Sequence, residues 1–202
     1  YSPATVSQEL TLMQVTPTLT ITSGNTLNVG GALSATVVTT AIDGRGGAIT
    51  FAIVAGSGSA TVDANSGLVS GVGAGTVTLI ASSAGDSVYV PSSTSQELII
   101  APIVPTLTIT SAGGMRVDGT LTATVTTSAT SGRGGAITFA IVDGTGMATV
   151  DANTGVIVAI NVGAVTLTVN SAGDNDYAPA SQSQEIIIIP GLPTLTITSG
   201  DT

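Results

Sequence analysis

From Thr106 to Thr110 the chain alternates threonine with Leu107 and Ile109, which sets an apolar pair on one face of an extended strand and three threonines on the other. The same two-residue period recurs downstream. Leu121, Ala123 and Val125 point inward from 119–127, and Ile137, Phe139 and Ile141 share a face of 136–142. Further strands are expected at 147–151 and 155–160, around Val165, Leu167 and Val169, and at 184–189. Turn residues separate these runs: GRGG at 132–135, DGTG at 143–146, DANTG at 151–155 and AGD at 172–174. No stretch carries an apolar stripe at helical spacing. About seven short strands in this span predict an all-β fold, an antiparallel β-sandwich of immunoglobulin type.

This pattern occurs more than once. PTLTITS stands at 17–23, at 105–111 and again at 193–199, a step of 88 residues, and Tyr1, Tyr89 and Tyr177 keep the same step. Aligned without a gap, 17–104 and 105–192 agree at 52 of 88 positions, so each copy is one folding unit of a tandem array. The expected organisation is a last-strand fragment at 1–16, whole repeats at 17–104 and 105–192, and a first-strand fragment at 193–202. Ends that fall in mid-repeat predict a window of a longer chain. The joints are short and carry proline (Pro102, Pro105, Pro190 and Pro193), which favours stiff connections over hinges, with Ile103, Val104 and Leu192 packing between neighbours. The array is expected to be a linear rod, with strands of about ten residues at ~3.3 Å each giving domains about 35–40 Å long.

Composition removes most chemistry. Cys, His, Trp and Lys are absent. Without them there is no thiol nucleophile, thiolate zinc site, histidine base or lysine Schiff base. The chain is read as non-enzymatic. Twelve acids against three arginines give a net charge of −9, which disfavours nucleic acid. A mean hydropathy of +0.56 excludes a disordered chain, and no apolar run approaches the length of a membrane span.

The segment ATVDANTGVIVAINVGAVTLTVNSAGDNDYAPASQSQEIIII at 148–189, with its counterpart at 60–101, resembles the bacterial Ig-like (Big-type) repeats of large surface proteins and adhesins. The shared features are the ATVD-x-x-[ST]-G hairpin, the Gly75–Leu79 and Gly163–Leu167 strand, and the AGD-x-x-Y…SQ closing segment. The resemblance implies a non-enzymatic structural region of a secreted protein at the bacterial cell surface, forming an adhesin-like stalk whose partners are its own neighbouring repeats. It also leaves room for the repeating body of an extracellular filament, with identical chains in contact through threonine-rich edges that lack lysine. A carbohydrate-binding module is a third reading, for which Tyr89 and Tyr177 are the stacking candidates.

Individual residues take the following expectations. Phe51 and Phe139 are core residues, in the place a tryptophan fills in antibody domains. Tyr89 and Tyr177 pack beneath the AGD loop, in which Asp174 caps a turn. Asp174 and Asp176 are calcium candidates, although the first copy has Val88 in place of the second acid, and calcium wants six to eight oxygens. No other cofactor is expected. Ser87, in Asp86–Ser87–Val88, resembles a bacterial O-glycosylation signal. Arg45 and Arg133 sit in GRGG turns, each as one exposed charge.

Overall fold

The computed structural model describes residues 1–42 and 44–196; the end of the expected first-strand fragment, 197–202, lies outside the described residues. Among the described residues all regular structure is strand, and no helix is long and apolar enough to cross a membrane. The chain forms two compact units, Tyr1–Pro102 and Ile103–Thr202.

Unit 1 contains β1 (Leu19–Ile21), β2 (Thr26–Asn28), β3 (Ala32–Ser34), β4 (Val37–Thr39), β5 (Ile49–Ala55), β6 (Ser59–Val62), β7 (Leu68–Gly73), β8 (Gly75–Ser83) and β9 (Ser92–Ala101). Unit 2 repeats the order with β10 (Leu107–Ile109), β11 (Gly114–Arg116), β12 (Thr120–Thr122), β13 (Val125–Thr127), β14 (Ile137–Asp143), β15 (Met147–Val150), β16 (Val156–Asn161), β17 (Gly163–Ser171) and β18 (Ala180–Ile189). In unit 2 one sheet runs β11-β18-β17-β14 and the facing one β12-β16-β15, with β10 and β13 paired beside them; unit 1 has the same arrangement. This is an immunoglobulin-like β-sandwich in each unit.

Nine strands stand where about seven are expected, for two reasons. The 119–127 run changes partner midway: β12 pairs with β16, while β13 pairs with β10. The second addition is β11, three residues that lie parallel to the last strand, with Gly114 opposite Ile187 and Arg116 opposite Ile189. Every other named strand pair in the unit is antiparallel. Residues 1–14, expected as part of a last strand, form none. Their counterparts build β9 between β8 and β2, and no such pair flanks them here.

The core follows the alternation. Val165, Leu167 and Val169 of β17 meet Ile186 and Ile188 of β18 and, from the facing sheet, Ala148, Ile157 and Ala159. Each such Val, Leu or Ile contributes roughly 1.5–3 kcal/mol by leaving water. The innermost residues are aliphatic. Phe139 is buried on the outer strand β14, and Phe51 is half-buried on β5.

Candidate functional site

In each unit the GRGG turn, the AGD loop and the entering chain meet at one place. Asp174 sits just after β17, and its carboxylate is shared among backbone amides. Oδ1 accepts from the N–H groups of Asp176 at 2.8 Å and Tyr177 at 2.9 Å, and Oδ2 accepts from Gly134 at 2.8 Å. The Ser171 hydroxyl donates to the Gly134 carbonyl, and Gly173 N–H donates to the same oxygen at 2.9 Å. Two segments 40 residues apart in sequence are thereby fastened together. The fit depends on glycine at 135: its φ is +78°, and a Cβ there would run into the Gly173 carbonyl.

Unit 1 repeats the fastening. Asp86 accepts from Val88 at 2.7 Å, Tyr89 at 2.8 Å and Gly46 at 2.8 Å, and Ser83 donates to the Gly46 carbonyl. These amides, Gly46 first, hold the Asp86 carboxyl below the ordinary carboxylate range. The two tyrosines brace the loops. Tyr89 is 7% exposed and its hydroxyl accepts from Ile42 N–H at 3.3 Å. The Tyr177 hydroxyl accepts from Thr130 N–H at 3.2 Å and lies 3.0 Å from the Thr130 hydroxyl. Tyr89 offers no ring face for stacking on a sugar.

The ion pairing at this place differs between the units. In unit 2 Arg133 pairs with Asp176 and lies 3.6 Å from Asp174. In unit 1 the place of Asp176 is taken by Val88. Asp174 and Asp176, the calcium candidates, are thus close together, with their oxygens directed at backbone amides and at Arg133. Among the described residues no group of three or more metal-ligating side chains comes together. Ser87 is exposed within the unit 1 loop.

The entering chain was not legible as part of this site. Ile103 forms an isolated parallel bridge with Tyr177: Ile103 N–H donates to Asp176 O, and Ala178 N–H donates to Ile103 O, both at 2.8 Å. Val15 does the same beside Tyr89, bonding to Val88 O at 2.9 Å and accepting from Val90 at 3.0 Å. Gln14 adds a side-chain bond to Asp86 O at 2.7 Å. A single bridging residue leaves no alternation to read, but the 88-residue step between Val15 and Ile103 is a signal that could have found it.

Beside each loop lies an open depression of about 300 Å³, lined in unit 1 by Ser82, Ser83, Pro91, Ser92 and Ser93. Its unit 2 equivalent is lined by Asn170, Ser171, Pro179, Ala180 and Ser181. Neither lining contains an aromatic ring, an acid pair or a base. The hydrogen bonds beside each depression fasten the AGD loop to the GRGG turn.

No protein-family profile matches the chain, and no curated protein sequence matches it. Among solved structures it is similar to the C-terminal 282-residue fragment of intimin in complex with the intimin-binding domain of the translocated intimin receptor. Identity there is 18% over 86% of this chain and 64% of that one, with a TM-score of 0.32, so the chain spans about two-thirds of that fragment. It is also similar to the fibronectin(III)-like modules of Clostridium thermocellum CbhA, at 15% identity over 90% of this chain and 100% of that one, with a TM-score of 0.35.

Proposed function

We propose that the chain is a non-enzymatic spacer: tandem Ig-like repeats forming the stalk of a secreted, adhesin-like protein on a bacterial surface. The observation that carries this reading is the recurrence of the same sandwich after a very short connection. Ala101 is the last residue of β9, and Ile103 is already bonded to Asp176 and Ala178. Only Pro102 lies between, and its ring fixes φ. A short connection that carries proline favours a spacer over a long flexible linker, which suits a stalk that holds a binding region at a distance. The polar groups of the loops are spent on internal fastening, and no residue is assigned to catalysis.

Electron microscopy of the native material tests this. Single strings of beads, spaced by about one domain, are expected. A compact particle, or a joint that bends through all angles, would reject the stalk.

A second reading, a filament built from many such chains, is favoured by the edge strands. Residues 49–54 of β5 and 137–142 of β14 share the uncharged sequence ITFAIV, and both strands lie at the edge of their sheet. Uncharged edges invite pairing with another chain. Ordered filaments with several chains in cross-section would replace the stalk with this reading.

A further inference from the structure

We infer that the outer face of the three-stranded sheet in unit 2 is a self-association surface, on which a second copy of this chain packs sheet against sheet. The observation is a run of aliphatic side chains on the water side of a central strand. β16 lies between β12 and β15. Its Ile157 and Ala159 enter the core, so Val156, Val158 and Ile160 alternate to the outside, where they are 37%, 40% and 42% exposed. Met147 of β15, also 42% exposed, extends the run, and Thr149 and Thr120 flank Val158 on its two sides.

Strand propensity does not call for these residues. On β17, the central strand beside β18, the outward positions are Thr166, Thr168 and Asn170, between the buried Val165, Leu167, Val169 and Ser171. Threonine suits an extended backbone as well as valine does and bonds to water. Unit 1 makes the same point, because Ser70 stands where Val158 does and Ser59 where Met147 does. Leu68 and Val72 keep their exposed places on either side, so only in unit 2 is the run unbroken. Single apolar residues on a surface are ordinary, whereas a contiguous patch marks a contact.

Charge and area select the occupant. The chain carries −9, so two copies repel wherever acids are brought together out of water. None of the residues of the run or its flanks is ionisable. The acids stand around it: Asp118 bonds through its N–H to Ala159 O, Asp151 through its N–H to Val156 O, and Asp143 accepts from Ala148 N–H. A neutral centre with its acids at a wet rim lets an acidic protein meet itself, since salt screens the rim. The run exposes about 400 Å² per copy, and with its margin a pair of faces would bury about 1,000 Å² in total, the lower end of specific interfaces. Two flat faces of short side chains can approach to the ~10 Å that separates packed sheets. The contact is therefore weak and reversible.

The surface goes beyond the stalk reading and does not depend on it. Sedimentation velocity of the whole chain, from ~10 μM to ~1 mM, tests it at low and at high salt. A reversible monomer–dimer equilibrium is expected, tighter at high salt because the rims carry like charge. Val158→Asp should weaken association by about tenfold or more by setting an acid in the contact of each copy, whereas Ser70→Asp in unit 1 should leave it unchanged. Met147→Ser with Val158→Ser gives unit 2 the residues that unit 1 already carries in the same fold, and serves if the aspartate variant folds poorly.

A chain that stays monomeric throughout overturns the surface, as does a dimer that persists in both unit 2 variants. A dimer that salt dissociates also overturns it, because its contact would be ionic. Each of these results would leave the stalk standing, since a contact this weak leaves single strings at the dilution of microscopy.

Discussion

Gly155 lies against the ring of Phe139: a Cβ at Gly155 would fall 3.1 Å from Cε2 and from Cζ. Its φ is +69°, the left-handed region that glycine enters freely, and its N–H closes the 151–155 turn on Asp151 O at 2.9 Å. The ATVD-x-x-[ST]-G hairpin thus ends in glycine for two independent reasons, backbone and packing. Gly155→Ala should destabilise unit 2 by about 2 kcal/mol or more, from ~1–2 kcal/mol of left-handed penalty plus the displaced ring. Urea unfolding checks this. In a Phe139→Leu background the cost should shrink toward the backbone penalty alone. An unchanged cost in that background would show that the ring contact contributes nothing.

Acid should unfold the chain along a predictable limb. Asp63 and Asp151 carry carboxyls held below the ordinary 3.8, chiefly by the N–H groups of Ser66 and Thr154, and Asp86 by that of Gly46. A depressed folded pKa contributes stability that is fully present above the unfolded value and is lost as pH falls through the folded one. With no histidine to titrate, the urea midpoint should stay level from about pH 5 to 8 and fall below about pH 4. Asp151→Asn should flatten the acid limb of unit 2. A limb of unchanged steepness would mean that this turn carboxylate has no part in it.

The core was legible because a strand buried on one face announces itself with period two; Val165, Leu167 and Val169 needed no other information. The change of partner near Ala123 was hidden, since the alternation from 119 to 127 runs on unbroken while the neighbouring strand changes. β11 was hidden for a different reason. It is three residues long, begins with glycine and buries only Met115. At the loop, AGD and Tyr177 stood out as a repeated motif, and so did GRGG. Their meeting, with Asp174 bonded to Gly134, is a tertiary contact that no local pattern encodes.

The ionic contacts at this meeting point should separate the two units. Arg133 pairs with Asp176 in unit 2, whereas unit 1 has Val88 in that position. The Arg133 side chain is 49% exposed, so solvent screens the pair. Arg133→Ala should cost unit 2 at most about 1 kcal/mol, and Arg45→Ala should cost unit 1 less. The difference should vanish in molar salt, where the Debye length is about 3 Å. Denaturation of both variants at low and high salt checks this. A cost for Arg133→Ala that salt leaves intact would assign the effect to packing of the arginine stem.

Near the first turn of each unit, polar atoms are buried without a partner at equivalent positions: Ser23 Oγ and Gln96 Oε1 in unit 1, Ser111 Oγ and Gln184 Oε1 in unit 2. The glutamine amides reach only the serine carbonyls, at 3.4 Å from Gln96 and 3.5 Å from Gln184, which is long for an N–H···O bond. Among the described residues no protein atom bonds either serine hydroxyl, so the hydroxyl belongs to no satisfied pair within the protein. Removing it should therefore not destabilise the fold, in contrast to removing one member of a satisfied pair. Ser111→Ala and Ser23→Ala should be neutral or stabilising by up to about 1 kcal/mol, measured as the shift in urea midpoint of the affected unit. A loss of that size in either variant would mean that an ordered water bonds the serine and glutamine together, tying the turn after the first strand to the last strand within that unit.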